Sequence, residues 1–280
     1  MNQPFEFIQV LPYKSFNYKD QPKISGRMEV ELEVVTPLHI WSGKLGEKDE
    51  FIYKEFIKYN NNPIIPGTSL KGCVRTIAEI VSNSCVKGYN KEFSKEKNDM
   101  KNNCIICQTF GYASGKYSLK SRVRFTDFIM QKGNMEYKNI PKLFKPSENT
   151  CLKDNKYKGY KFYLNSREVK TGTIPIEVAG VGSIFKGQVF FEDITEEQYK
   201  LLCFSLGLGE DLYFKLGYGK PCNYGTVKAR CVGIDFLKWP SQLNNLKNRL
   251  PKDVAQDYEI HSDENIRKNV QKLKEIYKKP

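Results

Sequence analysis

Three cysteines carry the sharpest chemical spacing in this chain. Cys104-X-X-Cys107 is a chelating knuckle, and Cys85 lies across a polar, lysine-rich stretch from it. Thiolates so spaced suit zinc, which takes four ligands in structural sites. The fourth ligand is open. Cys73 on a helical stripe and His39 at a strand end are both candidates, and Cys73 is equally well a core residue. Such an ion would pin a loop that lacks its own core and would do no catalysis. Cys151, Cys203, Cys222 and Cys231 read as structural.

The second feature is NNPIIPGTSLKGCVRTIAEIV, residues 61–81. Pro66 and Gly67 end a turn, after which Leu70, Cys73, Val74, Ile77 and Val81 recur at helical spacing. A helix start presents unpaired N–H groups and a partial positive charge, and a phosphate fits there. Thr68 and Ser69 add hydroxyls, Lys71 adds charge, Gly67 permits close approach, and Arg75 follows one turn on. An ordinary capped helix is the plain alternative. A second basic element, KLGYGKPCNYGT (215–226), sets Gly217, Gly219 and Gly225 among Lys215 and Lys220. Successive amides in such a loop can form an anion-binding nest, although a simple turn explains it equally. Tyr218 and Tyr224 would stack on bases or sit in the core.

Charge points to the partner. Lys and Arg number 45 against 32 Asp and Glu, a net +13, which suits a polyanion. With 17 Phe and 17 Tyr available for stacking, nucleic acid is favoured over lysine serving only solubility. A 40% apolar content supports a packed core. Residues 1–20 lack a basic region followed by an apolar core, and no apolar run approaches the roughly 20 residues of a membrane span. The expectation is a cytoplasmic chain with reduced thiols.

The elements that position these residues can be traced along the chain. Residues 27–35 (RMEVELEVV) alternate as a half-buried strand, which TPLHIWSG breaks at Pro37 and Gly43. Residues 121–129 (SRVRFTDFI) predict a second strand with Arg122 and Arg124 opposite Val123 and Phe125. Residues 131–160 show no periodicity and predict a loop, and 161–164 a short strand. Residues 173–192 predict two strands around a glycine-rich turn. Thr195 caps a helix with the stripe Tyr199, Leu202, Cys203 and Leu206, and 224–236 is the last strand. The order strand, helix, strand, strand, helix, strand is a ferredoxin-like (RRM-like) α+β plan. It spans residues 1–240, with a zinc-knuckle-like insertion at 83–120, a loop insertion at 130–170 and a helical tail at 241–280. In the tail, Asp263 or Ser262 caps a helix carrying Ile266, Val270, Leu273 and Ile276, which docks on the domain or on a neighbouring subunit. One sheet face stays free of helices, the face that RNA-recognition folds use.

Several stretches together resemble one family. PIIPGTSLKGCVRT is similar to a PxIPGSSLKGxxR signature, TPLHIWSG to PLHIGSG, and CIICQTFG to CxxCxLFG. KGYKFYL is similar to GRKFY, and LGYGKPCNYGTVKA to a glycine-rich lGxgKxxGxGxv loop. These are motifs of the RAMP superfamily, the RNA-binding backbone subunits of type III CRISPR effector complexes. They fall in family order across residues 36–229. The resemblance implies the ferredoxin-like fold, guide-RNA contact at 66–71 and Arg75, and RNA contact at the glycine loop. By the same resemblance His39, Lys44, Arg122 and Arg124 become RNA-contact candidates. The implied partners are guide RNA, target RNA and other subunits of such a complex, copies of this chain included. In RAMP subunits that cut target RNA, an aspartate in the loop matching KLGEKDE is needed; Asp49 resembles it, with Glu47 and Glu50 beside it. A carboxylate there would hold Mg²⁺ or orient a ribose 2′-OH; a solvated charge run is the alternative. Other readings are a non-catalytic spacer or cap, and a guide-processing endoribonuclease using His39 without metal. Outside the family, a zinc-stabilised RRM-like RNA binder is a further reading. His39 is otherwise a strand-end residue that holds its loop by hydrogen bonds.

Overall fold

The computed structural model describes residues 3–49, 51–85, 104–114, 117–144, 148–153, 156–166, 168–260 and 262–280. Much of the 83–120 insertion, together with Glu50 and His261, lies outside the described residues. The alternating stretch near the start forms β1 (Ile24–Val34), whose Met28, Val30, Leu32 and Val34 are buried while Glu29, Glu31 and Glu33 face outward. β2 (Trp41–Lys48) and β3 (Phe51–Phe56) make an antiparallel hairpin, and β4 (Asn62–Ile65) feeds α1 (Gly67–Ile80). α2 (Ile105–Phe110) starts at the cysteine knuckle. β5 (Val123–Phe125), β6 (Phe128–Lys132), β7 (Met135–Ile140), β8 (Ile174–Ala179) and β9 (Ile184–Ile194) follow. α3 (Glu196–Ser205), β10 (Phe214–Lys215), β11 (Thr226–Lys238), α4 (Pro251–Ile260) and α5 (Glu264–Ile276) complete the frame.

The main sheet runs β10-β11-β1-β9-β6-β4, ends on Lys58–Tyr59, and adds β5 beside β9. β1 is antiparallel to both β9 and β11. The buried face of β1 shares one apolar core with Leu70, Val74 and Ile77 of α1 and Tyr199, Leu201 and Leu202 of α3. α3 carries a full capping box: Gln198 N–H donates to Thr195 Oγ1, and Thr195 N–H donates to Gln198 Oε1. A second sheet of order β7-β8-β3-β2 flanks the first. The chain is thus an α+β fold of sheets and helices.

Four local expectations need correction. The strand expected at 121–129 is split into β5 and β6 at Thr126 and Asp127, where the Thr126 hydroxyl takes the Gln188 N–H and Asp127 turns to the Gly67 N–H. The aperiodic loop expected at 131–160 contains β7, which pairs residue for residue with β8 from Met135↔Ala179 to Ile140↔Ile174. Its residues are mostly exposed, so no alternation betrays it. The two strands of 173–192 do not form one hairpin: β8 joins the second sheet and β9 the main one. The tail contains α4 as well as the expected α5, and both bury residues in the core. Asp263 caps α5 by accepting from Ile266 N–H at 3.0 Å, and Val270, Leu273 and Ile276 are buried. The tail is therefore docked on this chain. Among the described residues no helix is long and apolar enough to cross a membrane.

Candidate nucleic-acid interface

At the start of α1 the anion position is already filled. Gly67 N–H donates to Asp127 Oδ1 at 2.9 Å, so a carboxylate from the β5–β6 junction sits on the positive end of the helix. Gly67 is required there: a Cβ would stand 2.3 Å from the Phe125 carbonyl oxygen. Lys71 turns inward, its Nζ donating to Ser121 Oγ at 2.7 Å and to the Val123 carbonyl at 3.2 Å, and burial lowers its pKa. Arg75 pairs with Glu79 at 2.8 Å and donates to the Gly111 carbonyl at 2.9 Å. Of the groups expected to grip a phosphate at 66–71 and Arg75, the Gly67 amide, Lys71 and Arg75 thus staple α1 to β5, α2 and the β5–β6 junction. Thr68 stays exposed and Ser69 half-exposed.

The helix-free face of the main sheet is not a basic platform. It neutralises itself through Glu29–Lys186 at 3.0 Å, Glu33–Arg230 at 2.9 Å and Arg27–Asp235 at 2.8 Å. At the edge of this sheet, however, Arg122 and Arg124 come together in a cleft of about 450 Å³ with Lys120, Lys238 and Phe190. The Arg122 guanidinium lies 4.0 Å over the Tyr18 ring, and that of Arg124 lies 4.6 Å over Phe190. Among the described residues Arg122 Nε is buried with no hydrogen-bond partner. Asp193 in the rim is engaged by Lys238 at 2.8 Å. Guanidinium groups stacked on rings beside an unspent donor suit phosphates and bases.

The glycine loop is built for packing. A Cβ on Gly217 would lie 2.3 Å from the His39 carbonyl oxygen, and one on Gly225 would lie 1.9 Å from that of Leu216. Gly219, also at positive φ, would meet Ile140. The amides of Tyr218, Cys222, Asn223, Tyr224 and Gly225, which the nest reading would have turned to an anion, all donate within the chain. Lys215 is fully buried, not surface-facing. Its Nζ donates to Asn223 Oδ1 at 2.7 Å and Thr226 Oγ1 at 2.9 Å, and burial with Lys220 nearby pushes its pKa to about 7. Lys220 is half-exposed. His39 is also fully buried: Nδ1 donates to the Glu177 carbonyl at 2.6 Å, burial lowers its pKa, and its ring meets Phe56 and Tyr218 edge-on. It reaches no surface, so its expected RNA contact is corrected to a structural role.

Two residues along the chain from His39, Trp41 is 48% exposed. Trp41 stands where the PLHIGSG pattern has glycine, and with Lys54 it escaped the sequence argument; that departure from the pattern was the available signal. Exposed Lys44 follows in the same bulge. Asp49 sits exposed at the tip of the β2–β3 hairpin with φ 52°, a left-handed turn conformation that aspartate tolerates. Among the described residues no metal-ligating cluster includes it.

Cys85, Cys104 and Cys107 do converge. Cys85 Sγ lies 3.3 Å from that of Cys104 and 3.2 Å from that of Cys107, and Cys107 N–H points at Cys104 Sγ at 3.4 Å. Hydrogen bonds from Cys107 and Cys85 hold the Cys104 thiol far below its ordinary range, while contact with Cys104 pushes the other two up. Three sulfurs converging in one pocket form a donor set that fits a thiophilic cation. Cys73 is not the fourth ligand: it lies outside the group, and its Sγ donates to the Lys215 carbonyl at 3.4 Å. Among the described residues no fourth His, Cys, Asp or Glu joins the group.

Compared with known proteins, residues 31–228 match the sequence pattern of the RAMP superfamily. No curated protein matches the chain. The crystal structure of Thermofilum pendens Csc2 overlays with a TM-score of 0.43 at 16% identity, covering 92% of this chain and 80% of that one.

Proposed function

Because the chain belongs to the RAMP superfamily, we propose that it is a guide-RNA-binding subunit of a type III CRISPR effector complex. The observation that carries this reading is the cleft of Arg122, Arg124, Lys120 and Phe190, where cations and rings alternate on one surface. Phosphates would bind the cations and bases would meet the rings, with slight sequence preference, since pairing with the guide specifies the target. The order β11-β1-β9-β6, with α1 and α3 as crossovers, supports reading the core as ferredoxin-like. The partners are the guide, the target RNA and neighbouring subunits.

Cys85, Cys104 and Cys107 would hold a structural zinc ion with a fourth ligand from outside the group. Arg75 on α1 holds the far end of α2 through the Gly111 carbonyl, so an ion at the Cys104–Cys107 end would fix α2 beside α1 at both ends. Asp49, exposed at its hairpin tip and outside any metal-ligating cluster among the described residues, fits a turn residue better than a metal ligand. The non-catalytic backbone is therefore preferred over target cleavage with Mg²⁺. The test is retention of a repeat-derived RNA by the purified chain across a salt series. Steeply salt-sensitive binding supports the proposal, and no binding at low salt removes it.

A further inference from the structure

The β2–β3 hairpin and the glycine loop together build a small aromatic seat around Trp41, a residue given no role above. Trp41 is 48% exposed, yet its ring is fixed, because Nε1 donates to the Lys44 carbonyl at 3.0 Å. The bulge between Trp41 and Leu45 makes this possible: Gly43 takes φ 87°, and Lys44 N–H donates to Ser42 Oγ at 3.0 Å. Opposite stands Tyr218, anchored by its N–H to the His39 carbonyl at 2.8 Å and by edge contact with the buried His39 ring at 5.8 Å. Between them lies the Lys54 ammonium, 5.0 Å from the Trp41 ring centre and 4.4 Å from that of Tyr218, donating to Tyr218 Oη at 3.2 Å.

We propose that Trp41 is a stacking platform for one nucleobase of single-stranded RNA, with Lys54 and Lys44 holding the adjoining phosphate. The inference rests on the RNA-binding function proposed above and names a subsite for it. A fixed, half-exposed indole loses little entropy on binding, and every base offers it a π face. Among the described residues Lys54 has one hydroxyl partner for its three donors, so it can add an anionic oxygen while keeping Tyr218. Lys44 is exposed beside the ring. A nucleotide supplies the flat ring and the negative charge together, whereas an apolar protein surface would leave both ammonium groups without a counter-charge. Charge complementarity therefore favours RNA as the occupant.

The chain has two tryptophans, so the Trp239→Phe variant leaves Trp41 as sole reporter. Trp239 packs at 4.3 Å against Phe236, away from this seat, and phenylalanine preserves a ring there. The experiment titrates this variant with a uridine oligoribonucleotide and with an abasic oligomer of equal length. Indole emission should be quenched by the uridine oligomer and not by the abasic one. Trp41→Ala should weaken uridine-oligomer binding about 5- to 150-fold and Trp41→Phe much less, with abasic binding unchanged. Uridine oligomer that binds without quenching, or with equal affinity for Trp41→Ala, overturns the subsite and leaves RNA binding intact. If Trp41→Ala instead abolishes only self-association on RNA, the seat is a protein contact and the proposal is overturned. No binding by either oligomer removes the broader function and the subsite with it.

Discussion

Replacing Lys215 by methionine should stabilise the protein at neutral pH and destabilise it at alkaline pH. The amine is fully buried, its two partners are neutral oxygens, and its pKa falls from an ordinary 10.5 to about 7. Between those values the unfolded chain binds a proton that the native chain lacks. Native stability therefore rises with pH across the window, by about 1.4 kcal/mol per unit, and is lowest at and below pH 7. Over the full window the burden is about 5 kcal/mol. Methionine removes it and also removes two hydrogen bonds, at about 1 kcal/mol each. The Asn223 carbonyl oxygen keeps its bond from Ser166 N–H, and Thr226 Oγ1 keeps its bond to Asn165, so neither is orphaned. The variant should thus gain about 3 kcal/mol at pH 7, equal the parent near pH 9, and fall below it beyond. Urea unfolding of both proteins at several pH values reads this directly, because titrations common to both cancel in the difference. A constant offset from pH 7 to 10 would refute the reasoning and mean that Lys215 keeps its charge in the fold.

Three further outcomes follow from the same geometry. His39 is buried neutral with a lowered pKa, so the unfolded ring takes up its proton first as pH drops below 6.5. Stability should fall on acidification, and replacing His39 should flatten that limb of the urea-midpoint profile. Gly217→Ala puts a Cβ against the His39 carbonyl at positive φ, and should cost about 2 kcal/mol in the same assay. The purified chain should carry zinc by elemental analysis, lose it in Cys104→Ser, and melt several degrees lower with a strong chelator; a metal-free parent indifferent to chelator would contradict the site.

The elements with strong periodicity were legible, and the partners of their polar groups were not. The alternation in β1, the helical stripe of α1, and the Thr195 and Asp263 caps all follow from local pattern. The cysteine triad was legible from spacing, since a two-residue knuckle and a third thiol have little else to do. β7 was hidden because an exposed edge strand need not alternate. The larger failure concerned lysine and histidine: sequence shows a charge and not the direction it points. Lys71, Arg75, Lys215 and His39 all turn inward to partners between 8 and 138 residues away or to a neighbouring turn. Asp127, which closes the start of α1, is 60 residues from Gly67, and no local pattern announces it. Charge reversal at Lys71 or Arg75 would therefore unpick the fold and say nothing about RNA.

The proposed function requires that exposed cations on this chain neutralise RNA phosphates. The most direct measurement is the slope of log affinity against log salt for a single-stranded repeat-derived RNA, in the parent and in Arg124→Ala, which removes a cation lying over Phe190 at the cleft mouth. The expected result is a steep negative slope for the parent that shrinks by about one in the variant. A flat parent slope, or the same slope in both proteins, would contradict it.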